Sequence, residues 1–198
     1  MLNKQKILNN LSGFSLVELL VYLGIFMILG TMAMDYIVQG FKSTTFSQEQ
    51  EEAINEARKG TELTSKEIRG ANNSDNGYYP LATTTEQELV FYSDINDDNS
   101  MERIRYYLNG TRLMREETAS GPTHNYSQTP TVTEVAKYIN NQTEPLFVYY
   151  DRNNVETELI NNIHLIEIII KVNVTPWRAP DDYYVITDVN LRNLKDNL

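Results

Sequence analysis

The chain contains no cysteine. Disulfide frameworks, cysteine zinc sites, iron–sulfur clusters and thiol catalysis are excluded together. Histidine occurs only as His124 and His164, in different contexts, which excludes a multi-histidine metal site. Positive charge is scarce: Lys and Arg total 17 against 27 Asp and Glu, for a formal net charge of -10. No basic run occurs, which argues against nucleic acid as a partner and against docking the acidic part on anionic lipid. Proline is absent before Pro80, so no residue upstream of it forbids a continuous helix. No Gly-x-Ser-x-Gly elbow, phosphate loop or dinucleotide fingerprint is present, and neither histidine has a nucleophile or carboxylate at a telling spacing. Enzyme activity has no support in the sequence.

What remains is 198 residues, 41% hydrophobic and 22% charged, enough for one ordinary domain and an appendage. The mean hydropathy of -0.43 hides an uneven distribution, because the apolar residues concentrate near the N-terminus. Residues 1–13 hold Lys4 and Lys6 and no acid. Residues 14–34 are apolar with a single charge, Glu18. As a helix this stretch covers about 31 Å, enough to cross a hydrocarbon core. Lysines ahead of it favour a cytoplasmic N-terminus. A secretory signal would end in a small-residue cleavage site after the core, whereas here the chain continues as Asp35-Tyr36-Ile37-Val38. A plain anchor explains the length but not Glu18, whose burial in a span costs about 2.5–3.5 kcal/mol.

Gly13-Phe14-Ser15-Leu16-Val17-Glu18-Leu19-Leu20, behind a short basic leader, resembles the type IV prepilin motif. The resemblance implies cleavage after Gly13 on the cytoplasmic side and N-methylation of the new terminal amine on Phe14. It places Glu18 fifth in the mature chain, where it pairs with the Phe14 amine of a neighbouring subunit. It further implies a prepilin peptidase, an inner-membrane assembly platform and other pilins or pseudopilins as partners. Many major pilins carry proline at the twenty-second mature position, which here is Asp35. That departure counts against the major fibre subunit.

Helical signal continues past the apolar run. Phe46, Gln50, Ala53, Ile54, Ala57, Gly60, Thr61, Thr64 and Ile68 share one face at helical spacing. Glu49, Glu51, Glu52, Glu56, Arg58, Glu62, Lys66 and Glu67 are assigned to the other face, with Glu62 and Lys66 as an i,i+4 pair. The spacing predicts one helix from Phe14 to Arg69, stopping at Gly70-Ala71-Asn72-Asn73. From about residue 71 the pattern turns to β. Gln87–Tyr92, Met101–Leu108 and Thr111–Glu117 read as strands, with Asn109-Gly110 as a two-residue hairpin turn. Thr131–Ile139, with Thr131 and Glu134 in a capping-box pattern, reads as a short helix. Leu146–Asp151, His164–Val174 and Tyr183–Arg192 read as further strands. Leu165, Ile166, Ile168, Ile169 and Ile170 mark a central strand.

The fold class expected is therefore α+β: a long N-terminal helix, membrane-spanning in its first half, with an antiparallel β-sheet head packed on its second half. The expected parts are a leader over 1–13, a membrane or filament-core half over 14–35 (apolar from Phe14 to Met34), an outer helix over 36–70 and a head over 71–198. The localisation implied is a single pass through the cytoplasmic membrane, N-terminus inside and head outside, then a pilus or pseudopilus.

In the head, Asp94, Asn96 and Asp98 alternate as calcium loops do, with Ser100 or Glu102 as further oxygen ligands. Asn99 replaces the EF-hand glycine and Arg105 its terminal glutamate, so the loop is not an EF-hand. Calcium (Ca2+) binding and a polar hairpin turn are both compatible with these residues. Asp181-Asp182 suits a solvated turn, or a cation or partner contact. Trp177, in a proline-flanked loop, suits either a contact or a core cap. The 13 tyrosines fall mostly at strand positions. Sequons at Asn72, Asn109, Asn125, Asn141 and Asn173 are short and frequent in an Asn-rich chain. The rival readings are a ligand-binding tip, as an adhesin or DNA-uptake subunit, and a membrane-tethered hydrolase. The head resembles the moderately large heads of minor pilins and J-type minor pseudopilins in its Arg103–Leu108 and Val189–Leu194 stretches.

Overall fold

The structure is a computed structural model that describes residues 13–175 and 182–191. Its first element is one helix, α1 (Leu16–Arg69), 54 residues long. No proline interrupts it, and its interior glycines are single breaks of modest cost in helix propensity. It ends with tightened i→i+3 bonds, Gly70 N–H to Glu67 C=O at 3.1 Å and Ala71 N–H to Ile68 C=O at 3.0 Å. Lys66 and Arg69 occupy its last turn, where cations complement the helix dipole. By its internal contacts the chain divides into two compact units, Met1–Phe46 and Ser47–Leu198.

In the second unit the outer part of α1 forms one wall of a core. The stripe read from sequence is the buried one: Gln50, Ala53, Ala57, Thr61, Thr64 and Ile68 are all buried, and Ile54 is half-buried. Small side chains on this stripe let the sheet approach closely. At Gly60 an added Cβ would stand 2.7 Å from Val135 Cγ1, so a larger residue there displaces the strand or the helix.

Eight strands follow: β1 (Leu81–Thr84), β2 (Glu88–Ser93), β3 (Glu102–Asn109), β4 (Arg112–Thr118), β5 (Thr131–Lys137), β6 (Phe147–Tyr150), β7 (Leu165–Val172) and β8 (Tyr183–Asn190). They form two antiparallel sheets, β1-β2-β3-β4-β5 and β6-β7-β8. Both sheets send apolar residues into the core. Leu89, Phe91, Ile104, Tyr106, Leu113 and Ala136 point inward from the first, and Ile166, Ile168, Ile170, Val172 and Val189 from the second. β7 is the central strand of its sheet, as its run of isoleucines predicts.

The segment after β5 stitches the sheets together. Ile139 bridges Val172, and Asn140 N–H donates to Lys171 C=O at 2.7 Å. Asn141 is fully buried; its Nδ2 donates to the Ile169 and Pro145 carbonyls at 2.9 and 3.2 Å, and its Oδ1 accepts Lys171 N–H at 2.8 Å. This side chain acts as a clip between β7 and the crossing loop, and its amide is not free for glycosylation.

Four sequence expectations change. Thr131–Ile139 is not a helix: Thr131–Lys137 is strand β5, paired with β4. The capping-box spacing is real, but the β-branched residues fit a pleated edge, and Glu134 instead pairs with Arg112 at 2.9 Å. The β3–β4 turn is Gly110-Thr111, because Asn109 already pairs with Arg112, with Gly110 at φ 62°. Strand β1 was not anticipated, and the head has two sheets rather than one. Finally, Glu67 is not on the solvent face. It is buried, with Arg115 Nε 3.0 Å and Nη2 2.9 Å from its carboxylate, and Tyr106 donates its hydroxyl to it at 2.7 Å.

That contact joins the helix to β3 and β4 deep in the core. Arg115→Met would leave the Glu67 carboxylate buried with only a tyrosine for company. The loss expected is about 3–5 kcal/mol, read by chemical unfolding of the full chain in detergent. Glu67→Leu combined with Arg115→Met is expected to recover much of it. A single Arg115→Met variant as stable as wild type would show that the pair anchors nothing.

Candidate functional site

The site begins where the chain enters α1. Ser15 precedes the helix and its Oγ accepts the Glu18 N–H at 3.2 Å. Serine at the cap with glutamate three residues on is a helix-start pattern present in the sequence but not read from it above. It fixes where the helix starts and puts Glu18 in the first turn. Phe14 stands just outside, 74% exposed, its ring edge-on to Tyr22 at 5.9 Å.

From this start the helix presents apolar side chains all round, and an 18-residue window of it is 0% buried. By length and composition the helix is able to cross a membrane. Leu16, Val17, Leu19 and Leu20 on one turn and Met32 and Met34 near the other end are all more than half exposed. An added Cβ at Gly24, Gly30 or Gly40 would meet nothing within 4 Å, so these glycines serve no internal packing. Exposed apolar surface of this extent marks contact with lipid or with other protein. Among the described residues Glu18 makes no ion pair.

The second candidate is the β2–β3 hairpin. Its oxygens accept from its own backbone. Asp94 Oδ1 takes Asp98 N–H at 3.2 Å and Oδ2 takes Asn99 N–H at 2.9 Å. Asn96 Oδ1 takes Asp98 N–H at 3.0 Å, and Asp98 Oδ1 takes Ser100 N–H at 2.8 Å. Glu102 is buried and accepts Ile95 N–H at 3.1 Å and Asn96 Nδ2–H at 3.3 Å. Asp97 and Asn99 adopt positive φ, 60° and 63°, which Asp and Asn tolerate better than other side chains. Asp94, Asn96, Asp98 and Glu102 thus share one turn. Among the described residues, no group of three His, Cys, Asp or Glu side chains is arranged to hold a metal ion.

Asp75 ties this turn to the segment near His124: it accepts Ser100 Oγ–H at 2.9 Å and Met101 N–H at 3.0 Å, with His124 Nδ1 at 3.7 Å. Serine and histidine both face the carboxylate rather than each other, so the cluster is not a nucleophile–base pair. His164 opens β7 through its backbone, its N–H on Tyr150 C=O at 2.8 Å. Asp182 is no bare solvated turn: it pairs with Lys171 at 2.9 Å and accepts from Asn173 at 2.6 Å. Residues 1–12, Trp177, Asp181 and 192–194, which carry other sequence expectations, lie outside the described residues.

Residues 8–34 match a protein family, the prokaryotic N-terminal methylation motif. No curated protein matches the chain. The motif is that of the type IV pilin and pseudopilin class. Here it heads a long apolar helix with a β-sheet head behind it, an α+β pilin-like fold. It implies prepilin processing and assembly with other pilins, and with the apolar helix it suggests a pilin anchored in the inner membrane. Proteins of this class are typically structural and non-enzymatic.

One titration follows from the hairpin. Burial pushes the Glu102 carboxyl above the usual carboxylate range; Asp98 and Asp94 push it the same way, against the bond from Ile95 N–H. The folded state then holds this proton more tightly than the unfolded state, so stability falls as pH rises from the ordinary glutamate range through the raised value. Glu102→Gln, which keeps an oxygen for Ile95, is expected to flatten that fall and to raise the thermal midpoint at neutral pH in chelator. An unchanged pH profile would show that Glu102 carries no such burden.

Proposed function

We propose that the chain is a structural subunit of a type IV pilus or a type II secretion pseudopilus. The observation that carries this is the methylation motif over residues 8–34, placed at the head of a helix whose apolar window buries nothing within the protein. In this reading the precursor sits in the cytoplasmic membrane by residues 14–34, with residues 1–13 inside and the head outside. Prepilin peptidase cuts after Gly13 and methylates Phe14. An assembly platform then moves the helix from lipid into a filament core of like helices, where packing rather than hydrophobic transfer decides association.

Glu18 supplies register. The α-amino group of the mature chain is largely cationic near neutral pH, and methylation keeps that charge. A carboxylate left alone in an apolar core is costly, so subunits settle where Glu18 of one meets the Phe14 amine of another. Within the class, Asp35 in place of the usual proline favours a subunit used in few copies, the minor-pilin or J-type role.

Intact mass, with and without a co-expressed prepilin peptidase, tests the class. The expected product starts at methylated Phe14. An unchanged chain starting at Met1, beside an active control substrate, would leave a plain anchor. Glu18→Ala is expected to be inserted and processed but to enter sheared filaments at least about tenfold less often, since an intramembrane carboxylate is functional by default. Incorporation equal to wild type would remove the register role.

Calcium at Asp94, Asn96, Asp98 and Glu102 is proposed as an addition to the head's stability. The support is the set of hard oxygens gathered on one turn, with Glu102 buried among like charges. A higher thermal midpoint in millimolar calcium than in chelator is expected, and its loss in Asp94→Ala. Identical midpoints would remove calcium from the reading.

A further inference from the structure

The outer part of α1 carries two chemically opposite faces. Toward its C-terminal end, Arg58, Glu62, Lys66 and Arg69 line an open groove of about 510 Å³, walled on the far side by Val185 and Thr187 of β8. Three cations against one acid is an inversion of the chain's formal charge of -10. Among the described residues no carboxylate neutralises these cations. The expected Glu62–Lys66 pair is not made, and among the described residues neither Lys66 nor Arg69 has an acidic partner. Arg58 turns instead to Tyr183, donating to its hydroxyl at 2.6 Å and lying 5.6 Å from its ring centroid.

Beneath the groove the helix keeps small hydroxyl side chains. Ser65 is 4% exposed and its Oγ has no hydrogen-bond partner. Thr61 and Thr64 on the same helix satisfy their hydroxyls on carbonyls one turn back, each at 2.8 Å. The Ser65 hydroxyl is shut off from the surface, so its cost is one of burial within the head. Among the described residues β8 pairs with β7 alone.

We propose that this groove receives the acidic helix stripe of the adjacent subunit in the filament. The inference rests on the filament-subunit reading above. Charge complementarity selects the occupant: the groove is cationic, and an acidic helix offers carboxylates at i and i+4 spacing to meet it. This chain shows what such a stripe looks like, since Glu51, Glu52 and Glu56 outnumber Lys59 around a hollow lower on the same helix, Glu56 standing 3.6 Å from Lys137. A basic groove that meets an acidic stripe on another subunit is a heterologous contact, which joins neighbours head to tail instead of closing a dimer.

The test is a photo-reactive phenylalanine analogue in place of Glu62, in the full chain, in cells that assemble the filament. A second probe replaces Leu20 in the apolar helix. The expected Glu62-probe product is a peptide from a pilin-class subunit, just beyond its apolar span and rich in Asp and Glu. Its yield is expected to fall at least about tenfold when Lys66→Glu and Arg69→Glu are added, both exposed positions. Because those substitutions also touch the helix end, Lys66→Gln with Arg69→Gln serves as a second variant, with a smaller fall expected at an unchanged thermal midpoint. Crosslinks to lipid, to a non-filament protein or to a basic segment would overturn the proposal, as would a yield indifferent to charge reversal. No Glu62-probe product beside a strong Leu20-probe product would overturn the groove alone and leave the filament reading standing. Absence of both products would overturn the filament reading and the groove with it.

Discussion

The buried pair between Glu67 and Arg115 is the contact on which the arrangement of the head depends. Apolar contacts between a smooth helical stripe and a sheet tolerate sliding, because Ala53, Ala57 and Gly60 offer little relief to lock against. A carboxylate held by Arg115 and by the Tyr106 hydroxyl tolerates none. It fixes the height of β3 and β4 along α1 and, through the β3–β4–β5 ladder, places Val135 over Gly60. The same register sets the floor of the groove, since Ser65 is two residues from Glu67 on the helix. Burial of such a pair adds little net stability, and its value lies in excluding other registers.

Much of this was legible because the two signals that matter are local. The helix stripe from Gln50 to Ile68 shows its period directly, and the isoleucines of β7 announce the central strand of its sheet, though only one of its faces is fully buried. The motif at Gly13, Phe14 and Glu18 is legible for another reason: it is a short contiguous pattern, and residues 8–34 match the N-terminal methylation motif. What sequence reading missed was set by tertiary partners. Thr131–Lys137 offers a helix start and a strand in the same residues, and pairing with β4 decides between them. Glu67 sits among exposed glutamates in the sequence, and only the distant Arg115 takes it inside. β1 is short, and its neighbours 71–80 hold three asparagines and a glycine followed by Tyr78-Tyr79-Pro80, so no period of two stands out.

The candidate site divides in the same way. Ser15 and Glu18 form a helix start that a closer reading of four residues would have found. The β2–β3 hairpin is legible as a cluster of oxygens, but what those oxygens do depends on backbone N–H groups whose directions no spacing reveals. The groove at Arg58, Lys66 and Arg69 is not legible at all, because its far wall comes from β8, more than a hundred residues away in the chain.

The Asn141 clip has a consequence for how the head is completed. Its three hydrogen bonds close the crossing between β5 and β7, a place where small exported domains often use a covalent cross-link. A cross-link requires an oxidant and a correct pairing of thiols. The asparagine clip requires only that β7 dock. The head therefore closes at the same rate in a reducing or an oxidising compartment, and opens again as readily when the clip is pulled apart.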